Sequence, residues 1–282
     1  MAWKDAEHDD PGLKGKVAII TGAGAAGDGI GNGRAAAMLL ARSGTAVLAV
    51  DQNLALAQAT VEMIRAEGGQ AEAQQADVTR EEDCAAMVAA ALRHFGRLDY
   101  LDNNVGISGH GSVVTMAPEE WRRILQVNVE SMVLTARHAV PAMLQSGGGG
   151  GAKPHGGGGA IVNVASISAI RPRGNSAYAT SKGAVVSLTT AMAVDHGPEG
   201  IRVNCVAPGP VYTPMVYAGG MSDEARDRRR KASPLGLEGT GWEVGQAVRF
   251  LLSDHARYIT AQTLIVDGGI TALSPARSHD KG

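Results

Sequence analysis

The sequence predicts an α/β fold in which helices cover both faces of a parallel sheet. Short apolar runs alternate along the chain with longer stretches of helical periodicity. The runs are apolar throughout, which is typical of parallel strands buried on both faces, whereas half-exposed strands alternate apolar and polar residues. A glycine-rich turn also follows the first run directly. With right-handed crossovers, these features favour a doubly wound, Rossmann-type sheet.

The predicted elements follow one another from end to end without a domain-scale linker. The predicted strands lie at 17–20, 46–50, 71–76, 98–101, 161–164, 201–206 and 264–266. The main predicted helices lie at 31–43, 55–67, 81–95, 121–144 and 176–196. We therefore expect a single domain over 1–282, with a polar N-terminal tail (1–12), a glycine-rich surface loop (147–159) and a C-terminal tail (271–282).

The composition limits the classes of function. Hydrophobic residues make up 44% and charged residues 19% of the chain, as in soluble globular proteins. A net charge of -2 favours neither nucleic acid nor an anionic membrane, and no apolar run is long enough to span a bilayer. The acidic start is unlike a signal peptide, and Cys84 and Cys205 lie far apart without a CxxC partner. We expect a cytoplasmic protein with buried thiols and no bound metal.

A glycine-rich turn, residues 21–31, lies between the first predicted strand and the first predicted helix. Glycines let the backbone approach a pyrophosphate closely, and the N-terminus of the next helix presents free N–H groups and a positive dipole end. Such a string alone also fits a flexible turn without a ligand. Its position between a strand and a helix favours dinucleotide binding.

Acidic residues follow the next two strands. Asp51 ends the second strand, where a carboxylate of a dinucleotide fold can accept hydrogen bonds from both hydroxyls of the adenosine ribose. Asp77 and Val78 follow the third strand and are candidates for contacts with the adenine ring. A solvated strand end is the alternative for Asp51, but its spacing from the glycine turn favours the ribose.

Tyr178 and Lys182 lie four residues apart, so a helix places them on one face. A phenol with an ordinary pKa of about 10 is a poor base, and a nearby ammonium group lowers that pKa. Ser166 follows the preceding strand and can donate a hydrogen bond to a carbonyl or alkoxide oxygen. At the carboxyl ends of parallel strands, these side chains predict acid–base chemistry on an oxygen atom.

Several short motifs occur in a characteristic order along the chain. They are Thr21-Gly22, Asn103-Asn104-Val105-Gly106, Asn128, Ser166, Tyr178-Ala179-Thr180-Ser181-Lys182, Pro208-Gly209 and Val266-Asp267-Gly268-Gly269. Together they resemble the short-chain dehydrogenase/reductase family over roughly residues 13–270. The resemblance implies a seven-stranded sheet in the order 3-2-1-4-5-6-7 and an NAD(P)-dependent oxidoreductase that interconverts a secondary alcohol and a ketone.

The resemblance also implies a role for each matching side chain. Tyr178 is the expected acid/base, Ser166 polarises the substrate oxygen, and Lys182 binds the nicotinamide ribose and tunes Tyr178. Asn128 is expected to hold a water molecule that relays protons from Lys182. The residues expected to contact the cofactor are Gly22, Gly29, Ile30, Gly31, Asp51, Asp77, Val78, Asn104, Val105, Gly106, Tyr178, Lys182, Pro208, Gly209, Val211 and Thr213.

Three departures from the family pattern concern the cofactor cleft. The family turn usually reads Thr-Gly-x-x-x-Gly-x-Gly, whereas here three extra residues separate Gly22 from Gly29-Ile30-Gly31. Val105 stands where alanine is commoner, and Ala261 stands where a Gly-Gln pair is usual. None of these removes a catalytic group, but the first enlarges the pyrophosphate loop.

The cofactor predicted from the sequence is NAD in preference to NADP. Asp51 would hydrogen-bond the free ribose hydroxyls and repel the extra phosphate of NADP, and Asp28 adds a second negative group. Arg34 and Arg42, on the helix after the glycine turn, are the competing evidence, because either could swing toward a phosphate. For Arg34 a pyrophosphate contact is as plausible, and Arg42 is expected to face solvent.

The segment 212–237 is the expected lid over the substrate. It combines apolar residues with a basic cluster, for which a solvated helix face is favoured over recognition of an anionic substrate. A hydrophobic, small-molecule alcohol or ketone is therefore the expected substrate. The resemblance further implies a homotetramer that associates through the helices at 121–144 and 176–196 and through the last strand.

Two other functions stay open from the sequence. A redox sensor or scaffold could bind the dinucleotide on the same fold without turnover, although it would not need all four catalytic side chains. A nucleotide-sugar epimerase is disfavoured, because the chain after Pro208 is too short for the larger substrate domain that such enzymes carry.

Overall fold

Seven strands form one parallel sheet in the computed structural model, which describes residues 11–147, 158–217 and 220–273. The strands are β1 (Val17–Thr21), β2 (Ala46–Asp51), β3 (Ala71–Gln75), β4 (Tyr100–Asn103), β5 (Gly159–Val164), β6 (Ile201–Pro208) and β7 (Thr263–Val266). Their order is β3-β2-β1-β4-β5-β6-β7, which confirms the predicted order. Most of the two predicted tails and of the glycine-rich loop lies outside the described residues.

Helices pack on both faces of this sheet. Within the described chain they are α1 (Asn32–Arg42), α2 (Leu54–Ala66), α3 (Glu81–Phe95), α4 (Pro118–Leu125), α5 (Ser131–Ser146), α6 (Ser176–His196), α7 (Pro214–Tyr217), α8 (Asp223–Lys231) and α9 (Gly241–Leu252). One apolar cluster includes α1, α2 and α9, and a second includes α3, α5 and α6. The chain thus winds to opposite faces after β1 and after β4, which opens a cleft at the carboxyl ends of these neighbouring strands.

The predicted helix over 121–144 is longer and is not uniform. It begins at Pro118 and ends at Ser146, and its middle turn, Gln126–Glu130, has π-type hydrogen bonding. Asn128 lies in this turn and is buried. Its side-chain amide group hydrogen-bonds the backbone of Ile107. Such turns are rare and are frequently found at functional sites.

Smaller differences have local causes. Strand β4 begins two residues later than predicted, and the backbone N–H of Leu98 donates to the hydroxyl of Ser146 (2.9 Å). Cys84 and Cys205 are buried free thiols, as predicted. Among the described residues, no helix is both long and apolar enough to cross a membrane.

An ionisable side chain lies unpartnered inside the sheet. Asp102 of β4 is completely buried, and its register partners on the two flanking strands are Ile20 and Val162. Neither carboxyl oxygen has a hydrogen-bond partner among the described residues. Burial raises the pKa of Asp102 to about 8. The carboxyl group is therefore neutral in the folded protein at pH 7, and it weakens the fold because its polar atoms have lost water without gaining partners.

Replacing Asp102 by valine is expected to stabilise the protein by about 1–3 kcal/mol, the usual cost of an unsatisfied buried polar group. The gain should grow with pH. The folded-state pKa of about 8 exceeds the unfolded value of about 3.9. Between these pH values only the folded chain holds the proton, so the wild-type stability falls as pH rises, and the fall ends above about pH 8.

Thermal unfolding of wild type and Asp102→Val at pH 6 and pH 9 measures this effect. Asp99→Val is the matched control, because the Asp99 carboxylate has partners, namely the backbone N–H of Val17 (3.0 Å) and the side chain of Arg97 (2.7 and 2.8 Å). That variant should lose stability. A destabilised Asp102→Val protein would show that the carboxyl group has a partner that stabilises the fold.

Candidate active site

Tyr178 and Ser166 meet at the carboxyl end of β5. Tyr178 is the third residue of α6, and Ser166 lies two residues beyond the end of β5. The Ser166 hydroxyl lies near enough to the Tyr178 hydroxyl to lower its pKa, and the Ser166 oxygen accepts from the N–H of Ser168 (3.1 Å). The sequence prediction that one helix places Tyr178 and Lys182 on a common face also holds, since Lys182 Nζ lies 5.7 Å from the centre of the Tyr178 ring.

The electrostatics of Tyr178 differ from the sequence prediction. Burial raises the pKa of Tyr178, and the hydrogen bond from Ser166 lowers it by a smaller amount. The Lys182 ammonium group does not contribute to this shift, and it donates to the carbonyl oxygen of Val164 (2.8 Å). Tyr178 is therefore protonated at neutral pH, and burial lowers the pKa of Lys182 to about 8.

Asn128 connects the π-type turn to α6. Its Oδ1 accepts from the N–H of Ile107 (2.8 Å), and its Nδ2 donates to the carbonyl oxygen of Ile107 and to the hydroxyl of Ser181 (both 2.9 Å). Both amide hydrogens are thus used, and Oδ1 retains one lone pair. Gly106 lies between these groups: a methyl group there would be 3.1 Å from Lys182 Nζ and 3.4 Å from Asn128 Oδ1. Lys182 and Asn128 therefore meet beside Gly106, and the Tyr178 ring, with Ser166 next to it, lies close to Lys182 Nζ.

The glycine segment, residues 22–31, leads into α1, but with a different register from the predicted one. Gly31 is the N-cap of α1, which begins at Asn32. A methyl group on Gly33 would collide with the carbonyl oxygen of Gly22. The last Gly-x-Gly of the family pattern is therefore Gly31-Asn32-Gly33, and Gly29 and Ile30 precede it. Eight residues separate Gly22 from Gly31, so the pattern is enlarged by five residues and not by three.

Asn104 and Asp51 border the start of the glycine segment. The N–H of Asn104 donates to the Thr21 hydroxyl (3.1 Å), and its side chain donates to the carbonyl oxygen of Gly22 (3.2 Å). The Asp51 carboxylate accepts from the N–H of Gly24 (3.1 Å) and from the N–H of Asn53 (3.0 Å). Each carboxylate oxygen keeps lone pairs for further donors.

The remaining predicted cofactor contacts lie at the ends of neighbouring strands. The Asp77 carboxylate is held by the N–H (3.0 Å) and hydroxyl (2.7 Å) of Thr79, which lower its pKa, and Val78 is buried. Val105 packs partly buried against the second apolar cluster. Pro208 ends β6, and Gly209, Val211 and buried Thr213 follow it. All of these residues lie on the carboxyl-end side of the sheet.

Neither arginine of α1 is available to a phosphate. The side chain of Arg34 is completely buried and donates to three carbonyl oxygens of the glycine segment, which rules out the free contact considered from the sequence. Arg42 is exposed, and its guanidinium group makes two 2.7 Å hydrogen bonds to Glu67. The two residues considered from the sequence as support for NADP thus already have partners.

The basic cluster of the expected lid is mainly paired with acidic side chains within or directly after its own segment. Arg226 binds Glu238 (2.6 Å) and stacks on Tyr212, with 4.2 Å to the ring centre. Arg230 and Lys231 both contact Asp227 (2.7 and 2.5 Å). The side chain of Met215, in contrast, is 75% exposed. These contacts favour the solvated helix face over an anion site.

The donor set of this cleft suits a dinucleotide. Glycines that cannot carry a side chain, a helix N-terminus and an acidic strand end meet in one cleft, as dinucleotide phosphates and ribose require. In the described part of the chain, no three His, Cys, Asp or Glu side chains are grouped to hold a metal ion.

Comparisons with known proteins extend over nearly the whole chain. The family model described as enoyl-(acyl carrier protein) reductase matches residues 24–271. Cyclohexanol dehydrogenase of Acinetobacter sp. (strain SE19) is 39% identical over 259 residues, which cover 91% of this chain and 95% of that protein. Cyclopentanol dehydrogenase of Comamonas sp. (strain NCIMB 9872) is 40% identical over 260 residues, with coverage of 91% and 97%.

A solved structure shares the fold. It is 7α-hydroxysteroid dehydrogenase complexed with NADH and 7-oxo glycochenodeoxycholic acid, with a TM-score of 0.83 and 33% sequence identity. The match covers 93% of this chain and 96% of that one.

Proposed function

Because this chain belongs to the short-chain dehydrogenase/reductase family, we propose that it transfers a hydride between NAD(H) and a secondary alcohol or ketone. The observation that carries the proposal is that Ser166, Tyr178, Lys182 and Asn128 are neighbours at the carboxyl end of β5, with Lys182 and Asn128 beside Gly106. Such a grouping is suited to moving a proton at an oxygen atom while stabilising the charge that develops there.

In the proposed mechanism, the bound nicotinamide ring supplies or accepts the hydride. The Tyr178 hydroxyl donates its proton to the ketone oxygen in reduction. In oxidation Tyr178 first passes that proton on through Lys182, and the resulting phenolate removes the hydroxyl proton of the alcohol. The raised pKa of Tyr178 keeps its hydroxyl protonated, which favours the donation step. The Ser166 hydroxyl donates a hydrogen bond to the same substrate oxygen, and Lys182 holds the nicotinamide ribose and exchanges protons through a water molecule on Asn128.

The proposed cofactor is NAD, held between the glycine segment and the loops after β3, β4 and β6. The Asp51 carboxylate accepts hydrogen bonds from the two ribose hydroxyls, while the N-terminus of α1 faces the pyrophosphate. Support comes from the paired state of Arg34 and Arg42, which leaves the 2′-phosphate of NADP without either cation. The 7α-hydroxysteroid dehydrogenase of similar fold was solved with NADH.

We propose a hydrophobic, cyclic secondary alcohol as substrate. The loop that follows Gly106 reaches the start of α6, since the N–H of Ser176 donates to the carbonyl oxygen of Gly111 (3.2 Å). Val113, Met116 and Trp121 line a cavity at that loop, together with Pro118 and Arg122. The relatives named cyclohexanol and cyclopentanol dehydrogenase support the same substrate class.

A cofactor-turnover screen tests the function directly. Wild-type protein is expected to reduce NAD in the presence of cyclic secondary alcohols. It should also oxidise NADH when the matching ketones are supplied. Polar sugars should turn over poorly. If NADH binds but no alcohol or ketone in a broad panel turns over, the protein is a dinucleotide-binding sensor or scaffold instead.

We propose that the protein assembles as a homotetramer. Edge strand β7 exposes Leu264 and Ile265, and α5 and α6 expose Val133 and Val194, respectively. Apolar side chains on an edge strand and on two helices are suited to symmetric association. Light scattering at micromolar concentration should give four times the mass of the chain, and a stable monomer would refute the assembly.

Buried free thiols suit the expected cytoplasmic location, which cell fractionation tests.

A further inference from the structure

The enlarged glycine segment is organised around one buried guanidinium group. Arg34 Nη1 donates to the carbonyl oxygens of Gly27 and Gly29 (both 2.7 Å), and Nη2 donates to that of Ala25 (2.9 Å). Three alternate residues of the segment thus turn their carbonyl groups inward to one side chain. Burial lowers the pKa of Arg34, but the guanidinium group stays charged, so these are charge-assisted hydrogen bonds.

The same guanidinium group is fixed from α2. Arg34 Nε donates to the hydroxyl of Thr60 (2.9 Å), which in turn donates to the carbonyl oxygen of Ala23 (2.8 Å). Thr60 is completely buried. A segment rich in glycine loses much conformational entropy when it adopts one conformation, so it needs strong contacts to stay ordered. Here four of its carbonyl groups are held, directly or through Thr60, by one side chain.

The fixed segment also touches the expected lid. A methyl group on Gly29 would collide with the ring of Pro214 and would lie 2.5 Å from the hydroxyl of Tyr217. Both contacts belong to α7, the first helix of the lid. The segment therefore lies between the N-terminus of α1, where a pyrophosphate would bind, and the start of the lid.

We infer that Arg34 is a positioning residue that holds the glycine segment as a preformed wall of the cofactor cleft and as the seat of α7. Arg34 acts on the cofactor through the segment and does not itself contact the phosphates. This inference rests on the proposed dinucleotide binding. It predicts that loss of Arg34 weakens cofactor binding more than it slows the chemical step.

The test compares Arg34→Met and Arg34→Lys with Arg42→Met, a matched control from the same helix whose side chain pairs with Glu67 at the surface. NADH affinity is measured by fluorescence titration. Hydrogen–deuterium exchange of residues 23–31 is measured without cofactor. We expect Arg34→Met to raise the Kd by about 10-fold or more, because only a fraction of molecules keeps the competent segment.

In Arg34→Met the exchange of residues 23–31 should accelerate, while kcat at saturating cofactor should stay within about three-fold of wild type, since only the competent fraction changes. Arg34→Lys should lie between wild type and Arg34→Met, and Arg42→Met should match wild type. Wild-type affinity together with unchanged exchange in Arg34→Met would overturn the inference. So would a fall in kcat with unchanged Kd.

Should Arg34→Met not fold, Thr60→Val decides, because it removes only the hydroxyl that links Arg34 to Ala23. Raised Kd and faster exchange of residues 23–31 support the inference, and wild-type values for both overturn it. If wild-type protein binds no NADH, the proposed function fails and the cofactor part of the inference fails with it. The exchange rates still decide separately whether Arg34 anchors the segment.

Discussion

Replacement of Tyr178 by phenylalanine should lower turnover by well over ~100-fold, the scale on which general acid–base catalysis contributes. The substitution keeps the ring that packs beside Lys182 and removes only the hydroxyl that Ser166 contacts. Without it, no proton donor reaches the substrate oxygen at the place where the hydride is delivered. Ser166 remains, but a serine hydroxyl can hydrogen-bond the oxygen and is a far weaker acid.

Steady-state rates of NADH oxidation with a ketone found in the screen measure this loss. Tyr258→Phe is the matched control, because the Tyr258 side chain is fully exposed and its variant should keep wild-type rates. NADH affinity should change little in Tyr178→Phe. A Tyr178→Phe protein with near-normal turnover would eliminate Tyr178 as the proton-transfer group.

Replacement of Asp51 by alanine should remove most of the preference for NAD over NADP. Two charge-assisted hydrogen bonds from the ribose contribute about 1.5–3 kcal/mol each, so kcat/KM with NAD should fall by at least ~100-fold. The repulsion between this carboxylate and the 2′-phosphate disappears at the same time. Activity with NADP should therefore rise, although no arginine of α1 is free to attract its phosphate.

The ratio of kcat/KM for the two cofactors, measured with one substrate, gives this preference. Asp51→Asn is the control for shape, since its amide oxygen can still accept from the N–H of Gly24 or Asn53 while the negative charge is gone. It should tolerate NADP without the loss of local structure that alanine could cause. A wild-type preference for NADP would contradict the assignment, and an unchanged ratio in Asp51→Ala would place selectivity elsewhere in the glycine segment.

The strands and the shared face of Tyr178 and Lys182 could be predicted from strong local patterns, whereas the strand order and the place of Asn128 were implied by the family resemblance. Buried parallel strands are continuously apolar, and a Tyr-x-x-x-Lys pair shares one helix face whatever surrounds it. The glycine segment was less predictable. Its repeated glycines allow several registers, and only the collision of Gly33 with the Gly22 carbonyl group selects one. The sequence signal for the correct register is Gly31-Asn32-Gly33, the Gly-x-Gly directly before the helical run.

Burial accounts for the remaining differences. Arg34 looked like a phosphate ligand because a charged side chain near a helix start usually meets solvent, and nothing local showed that Thr60 and three carbonyl groups would enclose it. The pKa of Tyr178 depends on how much solvent the folded chain excludes, which no spacing reveals. The unpartnered carboxyl group of Asp102 likewise becomes evident only when the flanking strands are in place.

Hydride transfer from an alcohol carbon to NAD is the central claim, and an isotope experiment tests it most directly. A cyclic secondary alcohol that turns over in the screen is deuterated at the carbinol carbon and incubated with wild-type protein and NAD, and the nicotinamide product is examined by mass spectrometry. The account predicts NADH that carries the deuterium, together with the ketone in equal amount, and almost none of either with Tyr178→Phe. NADH without deuterium, or ketone formed without NADH, would contradict it.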